Sequence, residues 1–136
     1  MLCEVGNQMR ILVVEPGCKP VATEIGGTLK TLQSLVGGYI QAIYPFREEV
    51  ALICNEEGRL LGLPLNRGLR DELGNFYDIV CGTFLICGVS GENFTSLSDK
   101  QLQRYTEMYA TPEVFLNLGG CTIILPAQED AGKESV

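Results

Sequence analysis

The sequence predicts an α+β fold with a mostly antiparallel sheet of about six strands and two or three short helices. Short apolar segments alternate with turns that contain Gly, Pro, Asn and paired charges, which is typical of hairpins. Segments with helical spacing are few, and strands and helices do not alternate regularly, as they would in a protein with a parallel sheet. At 136 residues the chain has the length of a single domain.

The first part of the chain is predicted to contain a hairpin and a helix. Residues 10–15 form a continuous apolar strand, and residues 21–25 are expected to return beside it after a turn rich in Pro and Gly. Thr28 is the predicted N-cap of a helix over Leu29–Val36, and Gly37 is expected to end that helix as a left-handed C-cap.

The middle of the chain is predicted to be dominated by strands. Residues 39–45 and Val50–Asn55 read as two strands joined by a polar turn, and residues 59–63 are expected to extend the pairing. Residues 65–77, which are rich in charge, Gly and Asn, are predicted to be irregular. Residues 78–89 are apolar on both faces, so they are predicted to form the central strand.

The last part of the chain is predicted to hold a helix and a closing strand. Ser98 and Gln101 form a capping box that begins a helix extending to about Tyr109. Pro112 follows a possible cap and is expected to open another short helical turn. Residues 121–125 read as the final strand, which a proline ends.

These elements set the predicted domain boundaries. Met9 opens the first strand, so a single α+β domain is expected over residues 9–126. Residues 1–8 are predicted to be a short N-terminal extension with little function. Residues 127–136 are predicted to be a flexible acidic tail.

Charge and hydropathy exclude several classes of function. The net charge is −7 and no basic stripe is visible, so binding of duplex nucleic acid is not expected. No apolar run approaches the roughly 20 residues that span a bilayer, so no membrane partner is expected. The start of the chain lacks a basic region followed by an apolar core, so the predicted location is cytoplasmic.

Catalytic and metal-binding motifs are missing from the sequence. The chain has six cysteines without a CxxC pair and no histidine, so a Cys/His zinc site is not expected. Cys54, Cys81 and Cys87 lie within apolar runs, as buried reduced thiols do. Without a nucleophile motif or a glycine-rich phosphate loop, the sequence predicts a binding protein that is not an enzyme and uses no cofactor.

One segment, residues 55–70, has the composition of a nucleotide pocket. Its arginines offer planar donors that suit phosphate, its asparagines can bind a sugar or a base edge, and its glycines allow close approach. The alternative is an ordinary surface loop whose arginines pair with neighbouring carboxylates. The candidate ligand-binding residues of this segment are Arg59, Arg67, Arg70, Asn55 and Asn66.

Five stretches carry a resemblance to a known family: residues 10–17, 36–46, 54–58, 63–67 and 78–84. From Met9 to about Pro126 the chain resembles the family catalogued as domain of unknown function 3846, which is found in phages and mobile elements of Firmicutes. The resemblance implies a small accessory protein of a phage, acting in the host cell cytosol. Such proteins often counter host defence, and some sequester nucleotide signals without cleaving them.

The resemblance and the arginine-rich segment together suggest a sponge for a nucleotide immune signal, such as a cyclic ADP-ribose isomer or a cyclic oligonucleotide. An aromatic ring would stack on the base; the candidates are Phe46, Phe84 and Tyr44. Because tight capture requires burial on several sides, a homo-oligomer with the pocket at a subunit boundary is expected. Charge reversal at Arg67 is predicted to abolish binding without unfolding the chain.

Two other functions stay open. In the first, the acidic surface docks on a host defence enzyme that acts on nucleic acid, as a protein-protein inhibitor, and association weakens steeply with salt. In the second, the chain is an enzyme with an unfamiliar site.

Overall fold

The computed structural model describes residues 8–127 of the chain. Strands dominate, and both helices are short. Within these residues the elements are β1 (Gln8–Val14), β2 (Val21–Gly26), α1 (Leu29–Val36), β3 (Ile40–Ile43), β4 (Val50–Asn55), β5 (Leu65–Arg70), β6 (Phe76–Cys81), β7 (Phe84–Ser90), β8 (Asn93–Thr95), α2 (Asp99–Met108), β9 (Glu113–Leu118) and β10 (Cys121–Pro126).

The main sheet has the strand order β2-β1-β7-β4-β3, and β8 pairs with the end of β7 as the sixth strand. All of these pairs are antiparallel. The β5–β6 and β9–β10 hairpins form two further two-stranded sheets. The predicted α+β fold with a mostly antiparallel sheet is therefore confirmed, and the main sheet has the predicted size, while the two hairpins raise the total strand number above the prediction.

The core has one layer on each face of the main sheet, because alternate residues of a strand point to opposite faces. On one face, Phe84 and Ile86 of β7 pack with Tyr105 of α2. On the other face, Leu85 of β7 packs with Leu32 of α1. Since a layer covers each face, β7 is buried on both sides, which explains its continuous apolar sequence.

Both helices begin at the predicted caps. The Thr28 hydroxyl accepts a hydrogen bond from the backbone N–H of Thr31, and Gly37 ends α1 with a φ of 81°. The reciprocal capping box of Ser98 and Gln101 is present at the start of α2. Local side-chain chemistry therefore determines where these helices start.

The prediction that residues 65–77 are irregular is wrong, because this segment contains β5 and the first residues of β6. The predicted pairing of residues 59–63 is also wrong, since turns occupy this segment. The predicted central strand 78–89 is divided by Gly82, whose φ is 85°. This positive φ turns the chain between β6 and β7, and a Cβ at Gly82 would also lie 2.7 Å from Leu63, so the position suits glycine.

The segment after α2 also differs from the prediction. The prediction of a helical turn at Pro112 is wrong, because β9 begins at Glu113 and pairs with β10 over six residue pairs. Val114, Leu116 and Leu118 alternate along this segment, and pairing with β10 makes it a strand despite the preceding proline.

The five cysteines within residues 8–127 divide into two groups. Cys54, Cys81 and Cys87 are buried, as expected, whereas Cys18 and Cys121 are exposed. Burial raises the pKa of the Cys54 thiol. Within residues 8–127 no helix is long and apolar enough to cross a membrane. The N-terminal extension, apart from Gln8, and the acidic tail, apart from Ala127, lie outside the described residues.

Candidate functional site

A cleft of about 1150 Å³ lies between α2, the β3–β4 loop and the β5–β6 hairpin. Its arginines are Arg47, Arg67, Arg70 and Arg104; its aromatic residues are Phe46, Tyr77, Tyr105 and Tyr109; and its acidic residues are Glu48, Asp71, Glu72 and Glu113. Four arginines, four carboxylates and four aromatic rings therefore share one concave surface, and ligand sites are generally concave.

Arg67 lies at the inner wall of this cleft and is only 1% exposed. Its Nη1 donates to the Asn66 side-chain oxygen at 2.8 Å. Its Nη2 donates to the backbone oxygens of Cys18 and Tyr109, at 2.6 and 2.8 Å. These acceptors are neutral, and within residues 8–127 Arg67 forms no ion pair, while its Nε is buried without a hydrogen-bond partner.

Burial lowers the pKa of the Arg67 guanidinium, although nearby Glu113 acts in the opposite direction. The group stays a cation, because an arginine is not deprotonated in a protein. Arg67 therefore brings to the cleft wall a buried positive charge that these three neutral acceptors orient without forming an ion pair.

Asn66 holds Arg67 in place from behind. This fully buried side chain donates to the backbone oxygens of Val14 and Gly82, at 2.9 and 2.8 Å, and accepts from Arg67. It thereby joins β5 to the end of β1 and to the turn before β7. All of its contacts are within the protein, so Asn66 positions the cation.

Glu48 connects the β3–β4 loop to α2. Its carboxylate accepts hydrogen bonds from the Tyr105 hydroxyl, the Arg104 guanidinium and the Gln101 side chain. These donors, with Tyr105 contributing most, hold the pKa of Glu48 below its usual value. Burial, followed by the hydrogen bond to Glu48, raises the pKa of Tyr105.

Carboxylates neutralise the exposed arginines at the rim. Arg47 pairs with Glu72, and Arg70 pairs with Glu113 at 3.3 Å. Glu113 also accepts from the backbone N–H of Gly68 at 2.8 Å, which fixes β9 against β5. The Arg47–Glu72 pair is exposed at both ends and contributes little net stability, so a ligand anion can compete for Arg47, whereas the Glu113 carboxylate that holds Arg70 is only 11% exposed.

The structure brings three of the predicted ligand-binding residues to the cleft: Arg67, Arg70 and Phe46. Arg59 lies elsewhere on the surface, where it pairs with Asp78 at 2.8 Å. The two asparagines are buried, and Asn55 uses its side chain to bind the backbone of Val36 and Glu57.

The other two predicted aromatic residues do not line the cleft. Phe84 is fully buried in the core against Tyr109, with ring centroids 5.3 Å apart. Tyr44 is 62% exposed, outside the lining. The burial of Arg67 also changes the effect that we expect of charge reversal at this position. Charge reversal would place a carboxylate among backbone oxygens, so we expect it to unfold the chain.

Sequence reasoning missed the residues that α2 and the β3–β4 loop contribute. Arg47, Glu48, Arg104 and Tyr105 line the cleft, but more than 50 residues of sequence separate the two pairs. No spacing rule connects them. The one available signal was helical spacing in the sequence, since Leu102, Tyr105 and Tyr109 fall on one side of the predicted helix.

The polar groups of the cleft suit binding more than metal coordination. In the part of the chain that the structure describes, no group of three or more Cys, Asp or Glu side chains is arranged to hold a metal ion. The lining instead offers guanidinium donors beside aromatic rings, which bind anions and flat rings respectively.

Comparison with known proteins supports a family assignment. The model described as Domain of unknown function (DUF3846) matches residues 9–110. No curated protein and no solved structure matches the chain. The matched residues include both helices and the β5–β6 hairpin, and they end before β9. Because the match spans well over half of the 136 residues, the chain belongs to this family of domains of unknown function.

Proposed function

We propose that this protein binds a small nucleotide in the cleft between α2 and the β5–β6 hairpin and holds it without cleaving it. The observation that carries the proposal is Arg67, a buried cation at the cleft wall that forms no ion pair within the described residues, although the charge of nearby Glu113 acts on it. A bound phosphate would supply the missing negative charge. The Nε of Arg67 is buried without a protein hydrogen-bond partner, and it would donate to a phosphate only if the cleft wall opened to admit one.

The aromatic residues of the cleft support a ligand that also carries a ring. Phe46 and Tyr105 contact each other with centroids 4.6 Å apart, and the more exposed Tyr77 lines the same cleft. A base that stacks on such a ring buries apolar surface and gains from the offset-stacked geometry. Phosphate and base would thus be recognised by different parts of one cleft.

Exposed arginines complete the proposed site. Arg70 and Arg104 are each about half exposed and are paired with carboxylates, at Glu113 and Glu48. A multiply charged phosphate group presents more acceptor oxygens than one carboxylate, so it can draw these arginines from their partners. In the proposed site Arg67 supplies a positive charge at a fixed position, and Arg70 exchanges its carboxylate partner for the phosphate of the ligand.

The biological role that we propose is sequestration of a nucleotide immune signal by a phage-type protein in the host cytosol. A cyclic ADP-ribose isomer or a cyclic oligonucleotide fits this class, because each combines bases with phosphates. The family resemblance motivates the role, and the cleft composition is compatible with such a ligand.

Isothermal titration calorimetry against a panel of cyclic nucleotides and cyclic ADP-ribose isomers tests the proposal. One member should bind with measurable heat, and Arg70→Gln should weaken that binding at least about tenfold, a loss typical of a charge-assisted hydrogen bond. Arg59→Gln is the matched control, because Arg59 is also exposed and ion-paired but lies outside the cleft.

Chromatography of the mixture after incubation separates binding from catalysis. A sequestered ligand is recovered intact after the protein is denatured, whereas new products would show an enzyme. Absence of heat with every nucleotide tested, or equal weakening by both arginine variants, would contradict the proposed site.

A further inference from the structure

We propose that the cleft holds a purine base between the ring of Tyr77 and the side chain of Met108. This inference rests on the proposed function, because it assigns the part of the same cleft in which the base of the nucleotide lies. Both side chains line the cleft, and they come from different walls of it: Tyr77 belongs to β6 of the β5–β6 hairpin, and Met108 is the last residue of α2.

Tyr77 has the most exposed of the four aromatic rings in the cleft. Tyr105 is 2% exposed and contacts the partly buried Phe46. Tyr109 is 7% exposed, and its ring lies edge-on to Phe84 in the core. Tyr77, in contrast, is 57% exposed. A flat ligand can therefore stack on Tyr77 without any repacking of the core.

A β-bulge sets Tyr77 apart from the β5–β6 ladder. Leu69 of β5 lies opposite Asp78. The next residue of β5, Arg70, lies opposite Phe76, so β6 has one extra residue between these two pairs. That residue is Tyr77. A bulge redirects a side chain and is frequent beside functional sites, so the irregular register at this position supports a ligand-binding role for Tyr77.

Met108 supplies an apolar surface from the α2 wall. It is about half exposed, whereas the other exposed residues of α2 are all polar or charged. Burial raises the pKa of the adjacent Tyr109 phenol most, and the phenols of Tyr105 and Tyr77 raise it further. Tyr77 therefore lies near the end of α2, where Met108 is. A thioether makes favourable contacts with aromatic rings, so Met108 suits the second face of a base.

This pair favours a large flat ring. Stacking is tolerant of the identity of the base, because every base has a π-face, and its strength sets the preference. A purine has two fused rings, so it buries more surface between a phenol and a thioether than the single ring of a pyrimidine does. We therefore expect the preferred ligand to be a purine nucleotide.

Fluorescence of Tyr77→Trp tests the base site, because the chain contains no other tryptophan. Adenosine at millimolar concentrations should quench the emission along a saturable curve, since it stacks on the indole. Cytidine should bind at least about threefold more weakly, because it stacks less well. Met108→Ala, made in the Tyr77→Trp protein, should raise the adenosine dissociation constant at least about threefold.

Tyr44→Trp is the matched control for the fluorophore, since Tyr44 is 62% exposed and lies outside the cleft lining. Its emission should fall only linearly, by collision. Leu73→Ala is the control for Met108→Ala, because Leu73 is an exposed apolar residue of the lining that lies on the β5–β6 turn, and it should leave the dissociation constant unchanged. If Tyr77→Trp fails to fold, equilibrium dialysis of adenosine replaces fluorescence, and Tyr77→Ser should bind at least about fivefold more weakly than the wild-type protein.

Three outcomes would each overturn the inference: linear quenching in both tryptophan variants, an unchanged dissociation constant in Met108→Ala, or equal affinity for cytidine. Adenosine carries no phosphate, so these outcomes are separate from the calorimetric test of the cleft arginines. A nucleotide whose heat of binding is sensitive to Arg70→Gln, together with linear quenching by adenosine, would remove the base site and leave the proposed function standing. Saturable quenching by adenosine without heat from any nucleotide would do the reverse.

Discussion

The guanidinium of Arg67 donates a 2.8 Å hydrogen bond to the backbone oxygen of Tyr109, the residue that caps the C-terminal end of α2. The last turn of α2 contains no basic residue of its own. Arg67 supplies that cation from β5, where it satisfies a terminal carbonyl and opposes the negative end of the helix dipole. The same side chain therefore joins two elements and lines the cleft between them.

Removal of the Arg67 guanidinium should destabilise the fold. Arg67→Met leaves several buried oxygens without a donor, so the free energy of unfolding should fall by about 2–4 kcal/mol. Urea denaturation measures this change. Arg59→Met is the control and should stay within about 0.5 kcal/mol, because Arg59 is exposed in a surface pair. Equal stability of the two variants would contradict the structural role of Arg67.

The side-chain amide of Asn66 should contribute as much to the stability of the fold as the Arg67 guanidinium that it orients. Asn66→Ala removes two donors to backbone oxygens and one acceptor, all fully buried, so the free energy of unfolding should fall by about 2–4 kcal/mol. The exposed Asn93 is a control position, where alanine should have little effect. Thermal melting followed by circular dichroism compares the two. If Asn66→Ala melts at the wild-type temperature, these hydrogen bonds make no net contribution to stability.

Gly68 should tolerate no side chain, because the β9–β10 hairpin packs directly on it. A Cβ at this position would lie 2.5 Å from the Phe76 ring and 2.8 Å from Ile124. Gly68→Ala should therefore lower the free energy of unfolding by about 1–3 kcal/mol. Gly26→Ala is the matched control: the nearest atom would be 3.8 Å away, so no loss from overpacking is expected. Urea denaturation again distinguishes them, and similar losses would mean that close packing is not the cause.

Acid should weaken the link between the β3–β4 loop and α2. Donors from Tyr105, Gln101 and Arg104 keep the pKa of Glu48 below 4.5 in the folded protein. Glu48 therefore binds protons more weakly when folded than when unfolded, and it contributes stability above pH 4.5 that is lost as pH falls through the lowered pKa.

Unfolding measured from about pH 6 down to about pH 3 tests this link. Glu48→Gln should lose less stability over that range than the wild-type protein, because its side chain no longer titrates. Glu49→Gln, at the exposed neighbouring position, should follow the wild-type curve. An unchanged slope in Glu48→Gln would show that Glu48 has no part in acid sensitivity.

Local sequence predicted the elements whose ends depend on neighbouring residues. Thr28 and Gly37 bound α1, and Ser98 with Gln101 begins α2, because caps form between residues a few positions apart. The same reasoning was wrong for residues 65–77. Their charge and glycine content indicated a loop, but pairing with β6 satisfies the backbone of β5, and Arg67 faces inward.

The sequence by itself determined the α+β class, the apolar strand at the centre of the sheet, both helix starts and the concentration of arginines between residues 55 and 70. Only the tertiary structure decided which arginines share a cleft: Arg67 and Arg70 lie there with Arg47 and Arg104, while Arg59 does not. Pattern rules describe neighbours along the chain, and this cleft is made by residues more than 50 positions apart. Burial decided the rest, because it made Asn66 a support for Arg67 and placed Phe84 in the core, where its ring packs within the protein.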